Sequence, residues 1–477
     1  MAYTEFYCDP VSGDDLNAGS SEGAPLVSLT AGDWDTDTRV FTKTGANLSG
    51  VTVDMWASVF LDAASAPTGY IARITAVNDT ADTITLSDTD YAGTKPGSST
   101  GGMSLRVGGA LLGPVGASAF PISSFFTNAL QNAANDYGRL NLKNNATYAI
   151  TAGIVQSANN DGPFVIAGYT TTPGDGGKAV FDGGGGVFTI LDFGGDKLKI
   201  ENIIAQNCAG SDSCGVRSQG LHCSLRGIGV KSVGSYGIRI DGGLSILSEF
   251  EVTNHNLSNY ADGWGVYAIG AGVTILNGIV HDAAYNGANG VFGGIGGSIS
   301  WVLVSDVSGA GIGAVSGGCV VQQCDVYGCG TGIQVWPWDT DRPTLIRNCN
   351  SVANTGYGYY FATINHGRLE KCGSAGNGLG RSNTLPTGWE DVDPITYDDA
   401  TNGPWTDPAA GDFTLSDMEA QYSGRAVFPM DLFVTPPTFA SRPDIGSQIR
   451  YPTGVAIDPV TALPLFAIFS KRWMFMP

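Results

Sequence analysis

The feature that most constrains this chain is an internal repeat. From about Lys197 to Pro386 the sequence divides into units of one design. Each has a short alternating apolar strand, a polar or Cys turn, a Gly-rich step and a second short apolar strand. First strands open at Lys197-Leu-Lys-Ile-Glu-Asn-Ile, Cys319-Val-Val-Gln-Gln-Cys-Asp-Val and Pro343-Thr-Leu-Ile-Arg-Asn-Cys-Asn. Second strands include Gly237-Ile238-Arg239-Ile240, Gly265-Val266-Tyr267-Ala268-Ile269, Gly332-Ile333-Gln334-Val335 and Gly358-Tyr359-Tyr360-Phe361. The period, roughly 19 to 27 residues, is too short for propeller blades and lacks the leucine-rich signature. The strands are too short, and too rich in Gly and β-branched residues, for helical repeats. A unit that cannot bury its own apolar face must stack on its neighbours, so the expected fold is all-β, a parallel β-helix with rungs about 4.8 Å apart. Ile, Val and Leu then point inward. One recurring turn is expected to carry a ladder of Asn286, Ala310, Cys329, Asn354 and Asn377, each Asn amide satisfied by its neighbours.

A solenoid has two open ends that must be covered. Ser123–Tyr137 places Phe125, Phe126, Leu130 and Ala133 at helical spacing, with Ser123 or Ser124 as N-cap and Gly138 beyond it. The spacing predicts a helix capping the first rung, which opens near Asn141 to Tyr148. Upstream, Val51-Thr-Val, Ala57 to Leu61, Tyr70 to Val77 and Thr83 to Leu86 alternate, and Asn78 to Asp82 reads as a hairpin turn. These predict a small antiparallel β-domain. After Gly388 the repeat stops. The expected organisation is therefore an opening segment (1–30), an inserted antiparallel domain (31–121), the capping helix and β-helix (122–386), a loop-rich cap (387–452) and a hydrophobic tail (453–477).

Charge and cysteine content exclude several roles. With 44 acids against 24 bases the net charge is -20, which argues against nucleic acid and against an anionic membrane surface as partners. No apolar run approaches the ~18 residues needed to span a bilayer, so no membrane insertion is expected. Nine Cys without a C-x-x-C pair give no reason to expect a metal site. Cys324, Cys349 and Cys372 fall in register, either as a stack of buried thiols or as one disulfide plus a free thiol.

Two groups of residues could carry function. Aligning the turns puts Asn207, Lys231, His255, Asp282, Asp306, Asp325 and Asn350 in successive rungs, with His281 before Asp282. Adjacent carboxylates repel, so one of them should have a raised pKa unless a cation binds. Paired-carboxylate hydrolysis needs about 5 to 10 Å between the groups. Asp282 with Asp306 fits the short end and Asp282 with Asp325 the long end, so Asp282, Asp306, Asp325, His255 and Lys231 form the candidate catalytic set. The competing reading is that outward turns carry Asp and Asn because these tolerate turn geometry. The second group is aromatic. Trp336-Pro337-Trp338, Tyr357, Tyr359 and Tyr360, with Trp264 and Tyr267 on earlier units, could form a glycan-stacking groove, unless Trp336 and Tyr359 point inward. The tail carries Phe466, Phe469, Trp473 and Phe475, with Lys471 and Arg472 as its only charges from Leu463 onward. Such a cluster must be buried, and it is expected to serve as an assembly contact.

Tyr7-Cys8-Asp9-Pro10, Gly13-Asp14-Asp15-Leu16-Asn17-Ala18-Gly19-Ser20 and Pro25-Leu26-Val27-Ser28-Leu29 resemble the opening signature of right-handed parallel β-helix proteins of the pectate-lyase-like superfamily. Gly411-Asp412-Phe413-Thr414-Leu415 and Arg442-Pro443-Asp444-Ile445-Gly446 resemble their closing segment. The resemblance implies the fold, covers about three quarters of the chain, and makes the small β-domain an insertion. It does not choose an activity, because the superfamily holds lyases, glycosidases, isomerases and non-catalytic phage spikes. The chain starts Met1-Ala2-Tyr3-Thr4-Glu5, without the pattern of an export signal. For this fold the expectation is then a virion surface protein made in the host cytoplasm, a spike or decoration β-helix binding host glycan. Its partners would be other virion subunits and itself, since phage β-helix spikes are typically trimers. The alternatives are an extracellular polysaccharide lyase or glycoside hydrolase, and a non-catalytic adhesin-like β-helix. No cofactor is expected, except that a lyase of this fold would bring Ca²⁺ held by acids, with Lys231 or Arg239 as base.

Overall fold

The computed structural model describes residues 4–11, 18, 20–22, 24–62, 70–92, 95–109, 138–156, 164–283, 285, 287–337, 342–362, 366–392, 394–397, 401, 403, 405–410 and 412–415. They form a parallel β-helix with a small antiparallel barrel. An 18-stranded and a 9-stranded parallel sheet make the solenoid, and six strands within Pro25–Gly108 close the barrel.

Each rung has three faces. The strands Leu198–Cys208, Ser224–Lys231, Ile246–Thr253, Thr274–His281 and Ser298–Ser305 stack in register, and each bends midway, so one strand supplies both the first and the second face. The third face is the 9-stranded sheet, with Cys214–Ser218, Tyr236–Ile240, Gly263–Ala268, Ala288–Gly293, Ala310–Ser316, Thr331–Pro337 and Tyr359–Phe361.

The corners explain the polar turn residues of the repeat. Each is turned by one residue in the left-handed region, at the same register position on successive rungs. Lys197, His222 and Leu244 turn from the third face to the first. Asn202, Glu249, Asn277, Trp301, Gln323, Asn348 and Lys371 turn from the first to the second. Asn207, Ser232, Asn254, Asp282, Asp306 and Ala353 turn from the second to the third. A left-handed residue bends an extended chain sharply while its neighbours keep their rung-to-rung hydrogen bonds. Asn and Asp adopt that conformation most easily after Gly, whereas other side chains pay about 1–2 kcal/mol.

The interior is narrow, and the repeated Gly sets its width. Gly215, Gly237, Gly265, Gly290, Gly311, Gly332 and Gly358 each precede the registered column Val216, Ile238, Val266, Val291, Ile312, Ile333 and Tyr359. A Cβ on Gly265 would lie 2.4 Å from Cγ1 of Val280 on the second face. The column is where the second and third faces press together. Cys324, Cys349 and Cys372 stand one residue before the registered trio Asp325, Asn350 and Gly373, and all point inward. All nine cysteines are buried free thiols, so the stack is of thiols and contains no disulfide. The amide ladder is shorter than expected. Asn354 Oδ1 accepts from the Cys329 N–H at 2.9 Å, and Asn354 Nδ2 donates to Asn377 Oδ1 at 2.7 Å. Ala310 belongs instead to the third face, and Asn286 lies outside the described residues.

The expected fold class needs one correction. Among the described residues there is no α-helix; the one helical turn is the 3₁₀ segment Pro408–Ala410. The capping helix expected over Ser123–Tyr137 falls outside the described residues. Among the described residues, the barrel covers the first rung. Strand Thr4–Cys8 pairs in parallel with Gly138–Lys143, and Trp56 of the barrel meets Phe6 edge-on at 5.4 Å. Trp56 and Ile71 thereby join the solenoid core. A β-barrel can cap a parallel coil as well as a helix can, because apolar surface on the end rung is what needs covering. The segment Pro25 to Leu29 lies in the barrel rather than in the solenoid. At the other end Trp389 closes over Phe361 at 4.3 Å. The short antiparallel pair Trp405–Asp407 and Asp412–Leu415 brings Trp405 against Tyr327 on the outer second face. No helix among the described residues is long and apolar enough to cross a membrane. The tail with Phe466, Phe469, Trp473 and Phe475 is outside the described residues.

Candidate functional site

The acidic candidates do not share one surface. Asp282 and Asp306 are exposed corner residues with φ of 55° and 54°, and Asn207 occupies the same corner. Asp282 Oδ2 bonds His281 Nδ1 at 2.8 Å, and His281 Nε2 bonds the buried Glu251 Oε1 at 3.0 Å. With both ring nitrogens facing carboxylates, the charged form of His281 is favoured. Burial lowers its pKa, but the bonds to Glu251 and Asp282 outweigh that and raise it. Asp306 leans towards the next rung, where Gly328 leaves it room. Burial by its neighbours raises its pKa, and the Asp282 charge adds to this.

The other three candidates lie elsewhere. Lys231 is one residue before the corner, exposed on the outer second face in register with Thr253, which in turn registers with His281. His255 is one residue past the corner and wholly buried. Its Nε2 reaches the Asn289 carbonyl at 2.7 Å, and burial depresses its pKa to about 4. Asp325 is inside a strand, buried on the outer second face, and accepts a bond from Asn350 Nδ2 at 2.7 Å. Tyr397 in turn donates to Asn350 Oδ1. A shift of one residue in register moves a side chain from corner to core or to a covered face, and sequence spacing alone could not resolve such shifts. Glu251 was missed because its strand position gave it no turn signature. Among the described residues no cluster of three or more His, Cys, Asp or Glu is placed to hold a metal ion.

The aromatic candidates come together better. On the outer third face the column Asp192, Arg217, Arg239, Tyr267, Phe292, Gly313, Gln334 and Tyr360 runs in register. Trp264 and Trp336 flank it. Tyr267 lies nearly parallel to Tyr236 (5.2 Å, 26°) and to Trp264 (6.3 Å, 23°). Trp336 meets Trp264 at 5.7 Å and Phe292 at 5.9 Å. Their rings fill the space over Gly313, where a Cβ would lie 2.4 Å from Trp336. Tyr260 joins from the loop after Asn254, which Asn256 pins by bonding the Tyr260 N–H and carbonyl at 2.8 and 2.9 Å. Trp264, Phe292 and Tyr236 are buried beneath, while Tyr260, Tyr267 and Trp336 remain half-exposed. One rung on, half-exposed Tyr357 and Tyr360 pack at 6.0 Å. Tyr359 points inward, fully buried with its hydroxyl between the Cys349 and Gly373 carbonyls, and takes no part in this surface. Trp338 lies outside the described residues.

No protein-family model matches the chain, and no curated protein matches it. Solved structures do. Pectate lyase Pel9A is 14% identical over 67% of this chain and 85% of its own, with a TM-score of 0.34. The catalytic domain of a GH87 alpha-1,3-glucanase in complex with tetrasaccharides is 10% identical over 81% of this chain and 95% of its own, with a TM-score of 0.35. An alginate lyase from Paenibacillus sp. str. FPU-7 is 13% identical over 55% of this chain and 95% of its own, with a TM-score of 0.29. These are distant likenesses in fold.

Proposed function

We propose that this protein binds an extended glycan along the outer third face of its β-helix. The observation that supports this reading is the run of half-exposed rings, Tyr260, Tyr267 and Trp336, held in place by buried Tyr236, Trp264 and Phe292. Flat aromatic surfaces match the apolar faces of sugar rings, and a platform fixed from below loses little entropy on binding. The regular rung spacing suits a polymer better than a single small molecule. Titration with soluble oligosaccharides tests the proposal. Tyr267→Ala and Trp336→Ala should each weaken binding by about tenfold without changing the fold. Unchanged binding in both variants would remove the platform from the account.

A second reading, turnover of the glycan, draws on one observation. Asp282 and Asp306 occupy neighbouring corner positions, and Asp306 holds its proton more tightly than an ordinary carboxyl. A carboxyl raised in this way suits the general acid of acid–base chemistry. The test is release of reducing ends or unsaturated products, lost in Asp306→Asn. A setting on a virion surface is a further proposal about where the protein acts, checked by whether the chain co-purifies with particles. An extracellular setting predicts the chain in culture supernatant instead.

A further inference from the structure

We infer that the third-face strip takes an uncharged glycan rather than a polyuronate, an inference that rests on the glycan-binding reading above. The described ionised groups that flank the aromatic rings are Asp192, Arg217, Arg239, Asp241 and Asp262. Two cations face three anions. Both arginines are already engaged by one acid. Arg217 Nε and Nη2 each lie 2.8 Å from Asp241 Oδ2, and its Nη1 is 3.9 Å from Asp192 Oδ2. Arg239 Nε donates to the other Asp241 oxygen at 2.8 Å, while its guanidinium lies over Tyr236 at 5.4 Å and Tyr267 at 6.0 Å.

A sugar carboxylate entering here would find Arg217 already shared by Asp241 and Asp192, and would meet Arg239 right beside the Asp241 carboxylate that holds its Nε. It would do so on a molecule whose net charge is -20. An uncharged pyranose has no such cost. It can stack on Tyr267 and Trp336, and Gln334, in register with Gly313 and Tyr360, presents an uncharged amide to its hydroxyls. Arg239, held by Asp241, then supports Tyr236 and Tyr267 by lying over their rings, rather than acting as a carboxylate receptor.

The experiment compares neutral hexasaccharides (cello-, malto- and mannohexaose) with hexamers of galacturonate and mannuronate by calorimetry on the full chain at low and high NaCl. A neutral hexaose should bind with less than about a twofold change between the two salt concentrations, because no ion pair is made. The uronates should be at least about tenfold weaker. Asp241→Asn, which removes the negative charge that both guanidiniums share, should raise uronate affinity by about tenfold or more. Wild-type binding that prefers a uronate, weakens with salt and disappears in Tyr267→Ala would overturn the inference and leave the glycan-binding reading standing. Binding of neither series would remove that reading itself. The wild-type comparison decides the matter even if the Asp241 variant does not fold.

Discussion

His255 and His281 sit on adjacent rungs near one corner and titrate in opposite directions. His281 is raised, so its partners stabilise the fold fully below its unfolded pKa of about 6.5, and that stability is lost as pH rises through the higher folded value. His255 is depressed to about 4, so its contribution is complete above about 6.5 and is lost as pH falls from there towards 4. The span corresponds to about 3 kcal/mol at most. Urea midpoints measured from pH 4 to 8 should show this directly. His281→Gln should flatten the neutral side of the profile, and His255→Leu should flatten part of the acid side; identical profiles would disprove the opposed titration. The corner acids carry a second expectation. Asp306 has positive φ, so Asp306→Val should cost about 1–2 kcal/mol while Asp306→Gly should be nearly neutral. Equal losses in denaturant melts would mean that the carboxylate, not the backbone, is what the site needs.

Among the elements, the glycine just before the inward column of each third-face strand from Cys214 onward decides how closely two sheets pack. Gly265→Ala would push a methyl group to 2.4 Å from Val280 Cγ1 and 3.0 Å from the Gly290 carbonyl. A loss of about 1–3 kcal/mol is expected. Val280→Ala in the same chain should recover part of it, because it removes the nearer clash, and a double-mutant cycle measures the coupling. Additive losses would place the strain in the backbone contact alone. The Gly was plain in the sequence as a periodic residue. Its reason was not, because the partner valine is on a different face of the coil and the contact exists only once the rung closes.

At the scale of the molecule, the solenoid is stapled at both ends by a tryptophan. Trp56 comes from the inserted barrel, and Trp389 from the strand Trp389–Val392, which adds one more parallel rung on Gly367–Glu370 beyond the repeat read in the sequence. Trp56→Ala should destabilise the opening rung by about 3–5 kcal/mol, as large aromatic deletions in a core do. Hydrogen exchange should then show lost protection in Thr4–Cys8 and Gly138–Lys143 with the later rungs unchanged, since a solenoid transmits stability mainly between neighbours. Protection lost equally along the coil would argue that the barrel stabilises the whole and not its end.

Periodicity by itself determined the parallel coil, its inward Ile, Val and Leu columns, and the antiparallel character of the insert. These follow from local pattern: a short apolar repeat has few ways to bury its surface, and an alternating run with a turn in the middle forms a hairpin. Asp282, Asp306 and Asn207 were also aligned correctly, because corner residues advertise themselves by tolerating left-handed backbone. Tertiary structure alone decided the rest. His255 and Asp325 differ from the corner by one or a few positions, and that small offset, invisible in spacing, carries one into the core and the other onto the covered outer second face, where it is bonded to Asn350. The stacking of Tyr236, Trp264 and Tyr267 on one face, and the capture of Arg217 and Arg239 by a single Asp241, join residues from different rungs. Such contacts depend on exact register and rotamer, which no one-dimensional pattern encodes.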